Sequence, residues 1–342
     1  MTELLAVRDL TLGFRTDAGL ARVLDGVNLT IDAGQVMGLV GESGCGKTTL
    51  ARAVLGVLPR NAAEIAGGEI VFKGRDLLKF SPGALARDIC GRAITFIPQD
   101  PYGSFNPVFT IGTQIMEIMK WKSPRRVTGH WSEHAPLLGP YPAERRRADM
   151  ETVVALLDAV QLPQPAQILR KYPHELSGGQ RQRLMIAMAL LPEPDLVIAD
   201  EPTTALDVTI QAQILGLIRR LANERNVAVL FTTHDLGTAY EICDAVTVMY
   251  AGQEVESAPT DRFFAAPAHP YTGKLLASLP RHDGEVAGIP GEVPNLVRPP
   301  GGCRFHPRCE RASEACRSGK PPAEMLDPGH SVRCFHPVRP AA

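Results

Sequence analysis

One short stretch of the sequence decides the fold. Residues 36–49 read Val-Met-Gly-Leu-Val-Gly-Glu-Ser-Gly-Cys-Gly-Lys-Thr-Thr. A short continuous apolar run is typical of a strand buried on both faces, and the pattern that follows from Lys47 is helical. The stretch therefore predicts a strand, a glycine-rich turn and a helix, in that order.

The turn itself, residues 41–48, fits the pattern Gly-x-x-x-x-Gly-Lys-Ser/Thr. Its glycines allow successive backbone N–H groups to face inward as a nest for an anion, and the helix N-terminus adds its positive dipole end. In such a turn Lys47 reaches the β- and γ-phosphates of a nucleotide and the Thr48 hydroxyl binds Mg²⁺. The predicted nucleotide-binding residues here are Gly41, Ser43, Gly44, Cys45, Gly46, Lys47, Thr48 and Thr49.

Two acidic residues follow a second apolar strand. Residues 196–201 read Leu-Val-Ile-Ala-Asp-Glu. A carboxylate at the end of a parallel strand is well placed for Mg²⁺, and we predict this role for Asp200. Glu201 points elsewhere, and we predict that it acts as the general base on the attacking water.

Length and composition restrict the remaining possibilities. The 342 residues are 44% hydrophobic and 21% charged, which is enough for a large core. The net charge of −1 provides no large cationic field, which argues against a dedicated nucleic-acid binder. No apolar run approaches the ~18–20 residues that cross a bilayer, and the N-terminus lacks a secretion signal. We therefore expect the chain in the cytosol or on the cytosolic side of a membrane.

The rest of the chain predicts how these pieces are assembled. Alternating strands and helices after residue 195 predict a parallel, helix-covered sheet. The strand-rich residues 4–31 predict an antiparallel edge, and residues 101–190 are mostly helical. Residues 121–147, rich in Pro, Gly and His, are interpreted as a surface insertion.

Residues 176–180, Leu-Ser-Gly-Gly-Gln, precede a helix and resemble the signature sequence of ATP-binding-cassette (ABC) ATPases. A serine and two glycines at a helix start form a second anion site. Because Lys47 already holds one face of the triphosphate, the resemblance implies that this site meets ATP held by another subunit, in a head-to-tail dimer. The residues of this second site are Ser177, Gly178, Gly179 and Gln180.

The resemblance covers about residues 4–340 and implies further roles. Gln99 contacts Mg²⁺ and the attacking water, His234 contacts the γ-phosphate, and Phe14 stacks on adenine. The loop Ala205-Leu206-Asp207 crosses the dimer interface. The implied catalytic residues are Glu201, His234, Gln99 and Lys47, with ATP and Mg²⁺ bound.

The fold that the resemblance implies is an ABC-type P-loop NTPase of the α/β class. It has a RecA-like parallel sheet core, an antiparallel β edge and a helical subdomain inserted at about residues 100–190. The ATPase domain is predicted over residues 1–258, and a loop-rich C-terminal extension over residues 259–342.

Four further segments are similar to the ATPases of oligopeptide, dipeptide and nickel importers: residues 99–107, 268–272, 289–291 and 302–309. This similarity implies an ATP-hydrolysing subunit bound peripherally to the cytoplasmic face of the inner membrane. Its implied partners are a second ABC ATPase, taken to be a paralogue in a heterodimer, two transmembrane permeases and an extracytoplasmic solute-binding protein, with no nucleic acid. The alternatives are a soluble ABC ATPase in DNA repair or translation, and a nucleotide switch without a transport role.

The C-terminal extension contains the cysteines Cys303, Cys309, Cys316 and Cys334. Their spacing departs from that of a zinc ribbon, and four thiolates can also hold an iron–sulfur cluster. The importer resemblance implies a structural [4Fe–4S] cluster, with Zn²⁺ or reduced, packed thiols as alternatives. The arginines among them are interpreted as donors to sulfur or as solvated, rather than as a nucleic-acid surface: Arg304, Arg308, Arg311 and Arg317.

Overall fold

The structure is a computed structural model that describes residues 2–59, 61–124, 141–204, 207–279 and 288–339. The chain forms two compact units. The first comprises residues 1–80 and 230–342, and the second comprises residues 81–229. Most of the predicted insertion lies outside the described residues, as do Ala205 and Leu206 of the predicted interface loop.

The helices and strands are numbered in chain order. The first unit begins with β1 (Glu3–Thr16), β2 (Gly19–Asp32), β3 (Val36–Val40), α1 (Lys47–Leu55), β4 (Ala63–Phe72) and β5 (Arg75–Asp76). Next come α2 (Pro82–Ala84), β6 (Ile94–Ile97), α3 (Ile111–Lys122), α4 (Ala143–Ala159), α5 (Pro165–Ile168), α6 (Gly178–Leu190), β7 (Leu196–Asp200) and α7 (Val208–Arg225). After these come β8 (Ala228–Thr233), α8 (Leu236–Ile242), β9 (Ala245–Tyr250), β10 (Gln253–Pro259), α9 (Thr260–Ala265), α10 (Pro270–Ala277), α11 (Glu314–Ser318), β11 (Ala323–Asp327) and β12 (His330–Arg333). No helix in the described ranges has both the length and the apolar character needed to span a membrane.

Strand β3 is a central strand of the first unit. All five of its residues are buried, it pairs in parallel with β9, and the strand order there is β11-β12-β10-β9-β3-β8. The predicted boundaries of this strand are correct, since neighbours on both edges and helices on the faces favour an unbroken apolar run. The predicted antiparallel edge is a second sheet, with the order β2-β1-β4-β5.

The second unit contains the parallel strands β6 and β7, which pair from Ile94 with Leu196 onward. Helix α4 begins nine residues before the predicted Thr152, inside the predicted insertion. Its first turns are polar and have no regularly spaced apolar residues. The buried Asp149 holds them in place. This carboxylate accepts hydrogen bonds from the Ser123 hydroxyl at 2.9 Å and from the Tyr141 hydroxyl at 2.6 Å.

The C-terminal part of the first unit is attached to the sheet by a strand. In β12, Val332 pairs with Glu256 of β10 in antiparallel register. Arg333 also forms an ion pair with Glu254 of β10. The loop-rich region therefore gains backbone pairing and ion pairs, which the sequence-based interpretation did not include.

A buried network fixes the start of α10. Glu256 accepts the backbone N–H groups of Ala268 at 2.7 Å and His269 at 2.8 Å, and the Nε2–H of His330 at 2.9 Å. The Nδ1 of His269 accepts the backbone N–H of Tyr271 at 3.0 Å. Burial lowers the pKa of His269 to about 4, so the imidazole is neutral near pH 7.

Acid is expected to destabilise the first unit through His269. Its folded-state pKa of about 4 lies below the ordinary histidine value, so between pH ~6.5 and ~4 the unfolded chain binds more protons. The free energy of unfolding should therefore fall as the pH drops through this window, by at most ~1.4 kcal/mol per pH unit from this group. Urea unfolding followed by circular dichroism at several pH values measures the slope. In His269→Gln, the unfolding free energy should depend less steeply on pH. An unchanged slope would show that His269 does not cause the loss of stability in acid.

Candidate functional site

The turn between β3 and α1 is built on glycines in left-handed backbone regions. Gly41, Gly44 and Gly46 have φ values of 149°, 78° and 108°. A Cβ on Gly41 would lie 2.1 Å from the Met249 carbonyl oxygen, and one on Gly46 would lie 2.9 Å from the Val23 carbonyl oxygen. Both contacts are with backbone, so any side chain here would push the turn away from its neighbours.

Lys47, the first residue of α1, is buried within this turn. Its ammonium donates to the Gly41 carbonyl at 2.7 Å and to the Glu42 carbonyl at 3.3 Å. The Cys45 thiol is buried beside Gly41, and burial raises its pKa, so it is a neutral space-filling group. The glycine-rich turn, the helix start and the ammonium together fit a phosphate group.

The remaining residues predicted at this turn lie where solvent or a ligand can reach them. Ser43 and Gly44 are exposed, and Thr48 and Thr49 are half-buried on the first turn of α1. In the same unit, the half-buried Phe14 lies near the end of β1.

His234, also in the first unit, is exposed directly after β8. The next residue, Asp235, caps α8 by accepting the Gly237 N–H at 2.9 Å and the Thr238 hydroxyl at 2.7 Å. The cap fixes the path of the backbone on one side of His234, and β8 fixes it on the other.

In the second unit, Asp200 and Glu201 lie at the end of β7, and Glu201 meets two further polar side chains. Asp200 ends the strand and is buried. The Oε2 atom of Glu201 accepts hydrogen bonds from Gln99 Nε2 at 3.0 Å and from the Thr204 hydroxyl at 3.2 Å. Glu201 has a φ of 46°, which is uncommon for a residue other than glycine. Strained backbone of this kind clusters at functional sites because the surrounding structure must maintain it.

The signature segment caps helix α6. The Ser177 hydroxyl accepts the Gln180 N–H at 3.3 Å, and the Gln180 side chain accepts the Ser177 N–H at 3.1 Å. Gly179 packs near Ile210, where a Cβ would lie 3.2 Å from the Ile210 Cγ2 atom. Asp207 caps α7 by accepting the Ile210 N–H at 2.9 Å. The starts of α6 and α7 are thus neighbours.

Two of the four arginines in the cysteine-rich segment do not match their sequence-based interpretation, whereas Arg311 and Arg317 are exposed, as expected. Arg304 and Arg308 are buried in ion pairs, with Asp25 at 3.1 Å and with Glu42 at 2.8 Å. The interpretation of these two as sulfur donors or solvated side chains is wrong. The sequence analysis also missed Glu42 and Thr204, whose roles depend on partners far away in sequence or on loop geometry.

The predicted [4Fe–4S] cluster is wrong, and the zinc alternative finds no support. Across the described ranges, no group of three or more His, Cys, Asp or Glu side chains is placed to hold a metal ion. Burial raises the pKa of Cys303 and of Cys334 to about 11.

The four cysteines do line one cavity, but its volume is only about 10 Å³. That is about the space that one water molecule needs. The side chains of Cys303, Cys309, Cys316 and Cys334 therefore pack around this small space, as in the third alternative.

A buried strand, a glycine-rich turn with its lysine, and a second helix start, which is capped by a serine, define a P-loop nucleoside triphosphate-binding cassette. Residues 24–204 match the family model described as ABC transporter, and residues 255–316 match the one described as oligopeptide/dipeptide transporter, C-terminal region. The chain belongs to the ATP-binding proteins of the oligopeptide/dipeptide ABC transporter family. The predicted family is therefore confirmed.

Two curated relatives span nearly the whole chain. The probable peptide ABC transporter ATP-binding protein y4tR of Sinorhizobium fredii (strain NBRC 101917 / NGR234) is 45% identical, covering 97% of this chain and 94% of the relative. The oligopeptide transport ATP-binding protein OppD of Salmonella typhimurium is 44% identical, covering 98% of this chain and 94% of the relative.

A solved structure confirms the predicted fold class. The structure of cbiO1 from Clostridium perfringens, part of the ABC transporter complex cbiONQ, matches with a TM-score of 0.61 at 24% identity. The match covers 78% of this chain and 92% of that one. At this identity, the likeness shows the fold alone.

Proposed function

We propose that this chain is the ATP-hydrolysing subunit of an ABC importer that takes up oligopeptides or dipeptides. The observation that carries the proposal is the match of residues 255–316 to the oligopeptide/dipeptide transporter C-terminal region, beside the ABC match at residues 24–204. The full-length relatives named for peptide and oligopeptide transport support the same substrate class. They favour transport over the DNA-repair or translation alternative.

Within such an importer, the chain works at the cytoplasmic face of the membrane. It acts with two transmembrane permeases, an extracytoplasmic solute-binding protein and a second, paralogous ABC ATPase. Residues 1–258 form the ATPase domain in this proposal, and residues 259–342 form the extension.

The first unit binds the nucleotide phosphates in this mechanism. Lys47 and backbone N–H groups of the turn neutralise the β- and γ-phosphates, and Thr48 is a ligand for Mg²⁺. Bound Mg²⁺ supplies further charge neutralisation on the phosphates. His234 contacts the γ-phosphate, and Phe14 stacks on adenine.

The second unit supplies the groups that act on water and on the partner subunit. Asp200 and Gln99 are assigned to Mg²⁺, and Glu201 orients the attacking water and takes its proton. The hydrogen bonds from Gln99 and Thr204 aim the Glu201 carboxylate. Ser177, Gly178, Gly179 and Gln180 bind the ATP of the opposite subunit, and Asp207 lies at that interface.

Deletion and recovery from native membranes test this function. Cells that lack the gene should lose uptake of labelled di- and oligopeptides, and the full chain supplied in trans should restore it. The tagged chain should co-purify with transmembrane permeases. Recovery with ribosomes or nucleic acid, together with unchanged peptide uptake, would reject the transport assignment.

A further inference from the structure

The C-terminal part of the first unit holds the second residue of the phosphate-binding turn. Glu42 follows Gly41, and its carboxylate is bound by both ends of the Arg308 guanidinium. Nη1 donates to Oε2 at 2.8 Å, and Nη2 donates to Oε1 at 3.1 Å. The Arg308 side chain is 4% exposed and that of Glu42 is 25% exposed. A buried, bidentate pair of this kind is both strong and geometrically specific.

Arg308 is itself fixed in place. Its Nε donates to the Pro290 carbonyl at 2.9 Å, Nη2 donates to the Ile289 carbonyl at 3.0 Å, and Nη1 lies 3.3 Å from the Tyr250 hydroxyl. With the two bonds to Glu42, these contacts engage all five N–H donors that a guanidinium has. The Arg308 side chain is therefore fixed in one position, from which it binds the Glu42 carboxylate.

A second contact reaches the backbone of the same turn. The hydroxyl of the fully buried Tyr271 accepts the Glu42 N–H at 3.0 Å. That N–H belongs to the peptide unit whose carbonyl, on Gly41, accepts the Lys47 ammonium at 2.7 Å. The Tyr271 ring lies 4.6 Å from the Tyr250 ring and 5.3 Å from the Phe305 ring, measured between centroids. The peptide unit is therefore held at both ends.

The negative charge of Glu42 lies within the turn that binds the phosphates, so it affects the affinity for nucleotide. A carboxylate in a loop that binds a polyanion repels the ligand unless a cation pairs with it. Lys47, the cation of the turn, is engaged with the backbone carbonyls of Gly41 and Glu42 rather than with the Glu42 carboxylate. Arg308 supplies the cation from 266 residues away in sequence.

We propose that Arg308 is a positioning residue for nucleotide binding, which neutralises and holds Glu42 so that the phosphate-binding turn keeps both its shape and its affinity for ATP. The proposal rests on the proposed function and deepens it. It makes nucleotide affinity depend on the docking of the C-terminal extension against the turn.

The test uses the full-length chain with Mg-ADP as the probe for affinity and Mg-ATP for turnover. Arg308→Gln should weaken Mg-ADP binding, measured by calorimetry, about tenfold or more and should raise KM for ATP similarly. The change in kcat should be less than about threefold, because the groups assigned to the water are untouched. Adding Glu42→Gln to Arg308→Gln removes the unpaired charge and should return the affinity to within about threefold of the parent.

The rescue separates neutralisation of the Glu42 charge from mere structural support. If Arg308 only stabilised the fold, the double variant would bind Mg-ADP no better than Arg308→Gln, and that result would overturn the proposal. Arg333→Gln is the matched control, because Arg333 also pairs with a buried glutamate, Glu254, whose carboxylate bonds to Asn28 and not to the turn. It should bind Mg-ADP as the parent does.

Two further outcomes are decisive. Parental affinity in Arg308→Gln overturns this inference and leaves the proposed function intact, whereas a parent chain that binds no nucleotide overturns both. If Arg308→Gln does not fold, Arg308→Lys is the variant that tests the proposal. Lysine keeps the charge but cannot span both Glu42 oxygens. It should raise KM about threefold or more, and a parental KM would reject the proposal.

Discussion

Replacing Glu201 by glutamine is expected to lower steady-state ATP turnover by about 10²–10⁴-fold while ATP still binds. The amide cannot accept the proton of the attacking water, but its oxygen can still accept the Thr204 hydrogen bond that the carboxylate accepts at 3.2 Å. The turn around Lys47 is unaltered, so ATP should accumulate unhydrolysed and hold subunits together. Phosphate release measures the turnover, and sedimentation velocity with ATP and the natural partner subunit measures the association.

Glu224→Gln is the control for this variant. Glu224 lies exposed on α7 and pairs with Arg220 at 3.8 Å, so its loss should leave turnover unchanged. Near-parental turnover in Glu201→Gln would remove Glu201 from the role of general base.

Replacing Gly41 by alanine is expected to abolish most nucleotide binding and to destabilise the first unit. The new Cβ would lie 2.1 Å from a carbonyl oxygen and 2.9 Å from the Cys45 sulfur, at a φ of 149°. The turn must therefore move away from β9, which costs about 2 kcal/mol or more in unfolding free energy. Affinity for Mg-ADP should fall more than about tenfold. Urea unfolding and calorimetric titration measure the two effects.

A glycine elsewhere provides the matched control. Gly216 lies exposed within α7, and a Cβ there would meet nothing within 4 Å. Gly216→Ala should stabilise the helix by about 0.5–1 kcal/mol and leave Mg-ADP binding unchanged. If Gly41→Ala bound Mg-ADP as tightly as Gly216→Ala does, the requirement for glycine in the turn would be refuted.

Local patterns predicted the elements around the phosphate-binding turn well. Strand β3 and the first residue of α1 lie where the sequence places them, because burial on both faces and a glycine-to-lysine turn leave few alternatives. The cap at Ser177 is similarly local, since its partner is three residues away. The start of helix α4 was harder to predict from the sequence. Its first turns are polar, without regularly spaced apolar residues, and they depend on the buried Asp149.

The errors concern contacts that spacing along the chain cannot reveal. The importer resemblance implied a [4Fe–4S] cluster, but no group of three or more His, Cys, Asp or Glu side chains in the described ranges is placed to hold a metal ion. The pairing of Arg308 with Glu42 joins residues 266 positions apart. Nothing in the composition of either segment distinguishes a buried ion pair from two solvated charges. The roles of Phe14, His234 and Asp207 stay predictions.

The two bonds on the peptide between Gly41 and Glu42 have a consequence for ligand capture. Rotation of that peptide, the motion that glycine most readily permits, would break the bonds to Lys47 and Tyr271 together. The shape of the cradle is thus established when the chain folds, and little ordering entropy remains to be lost on contact with a phosphate. Tyr271→Phe removes one of these two bonds, so part of the ordering entropy would then be lost when the phosphate binds.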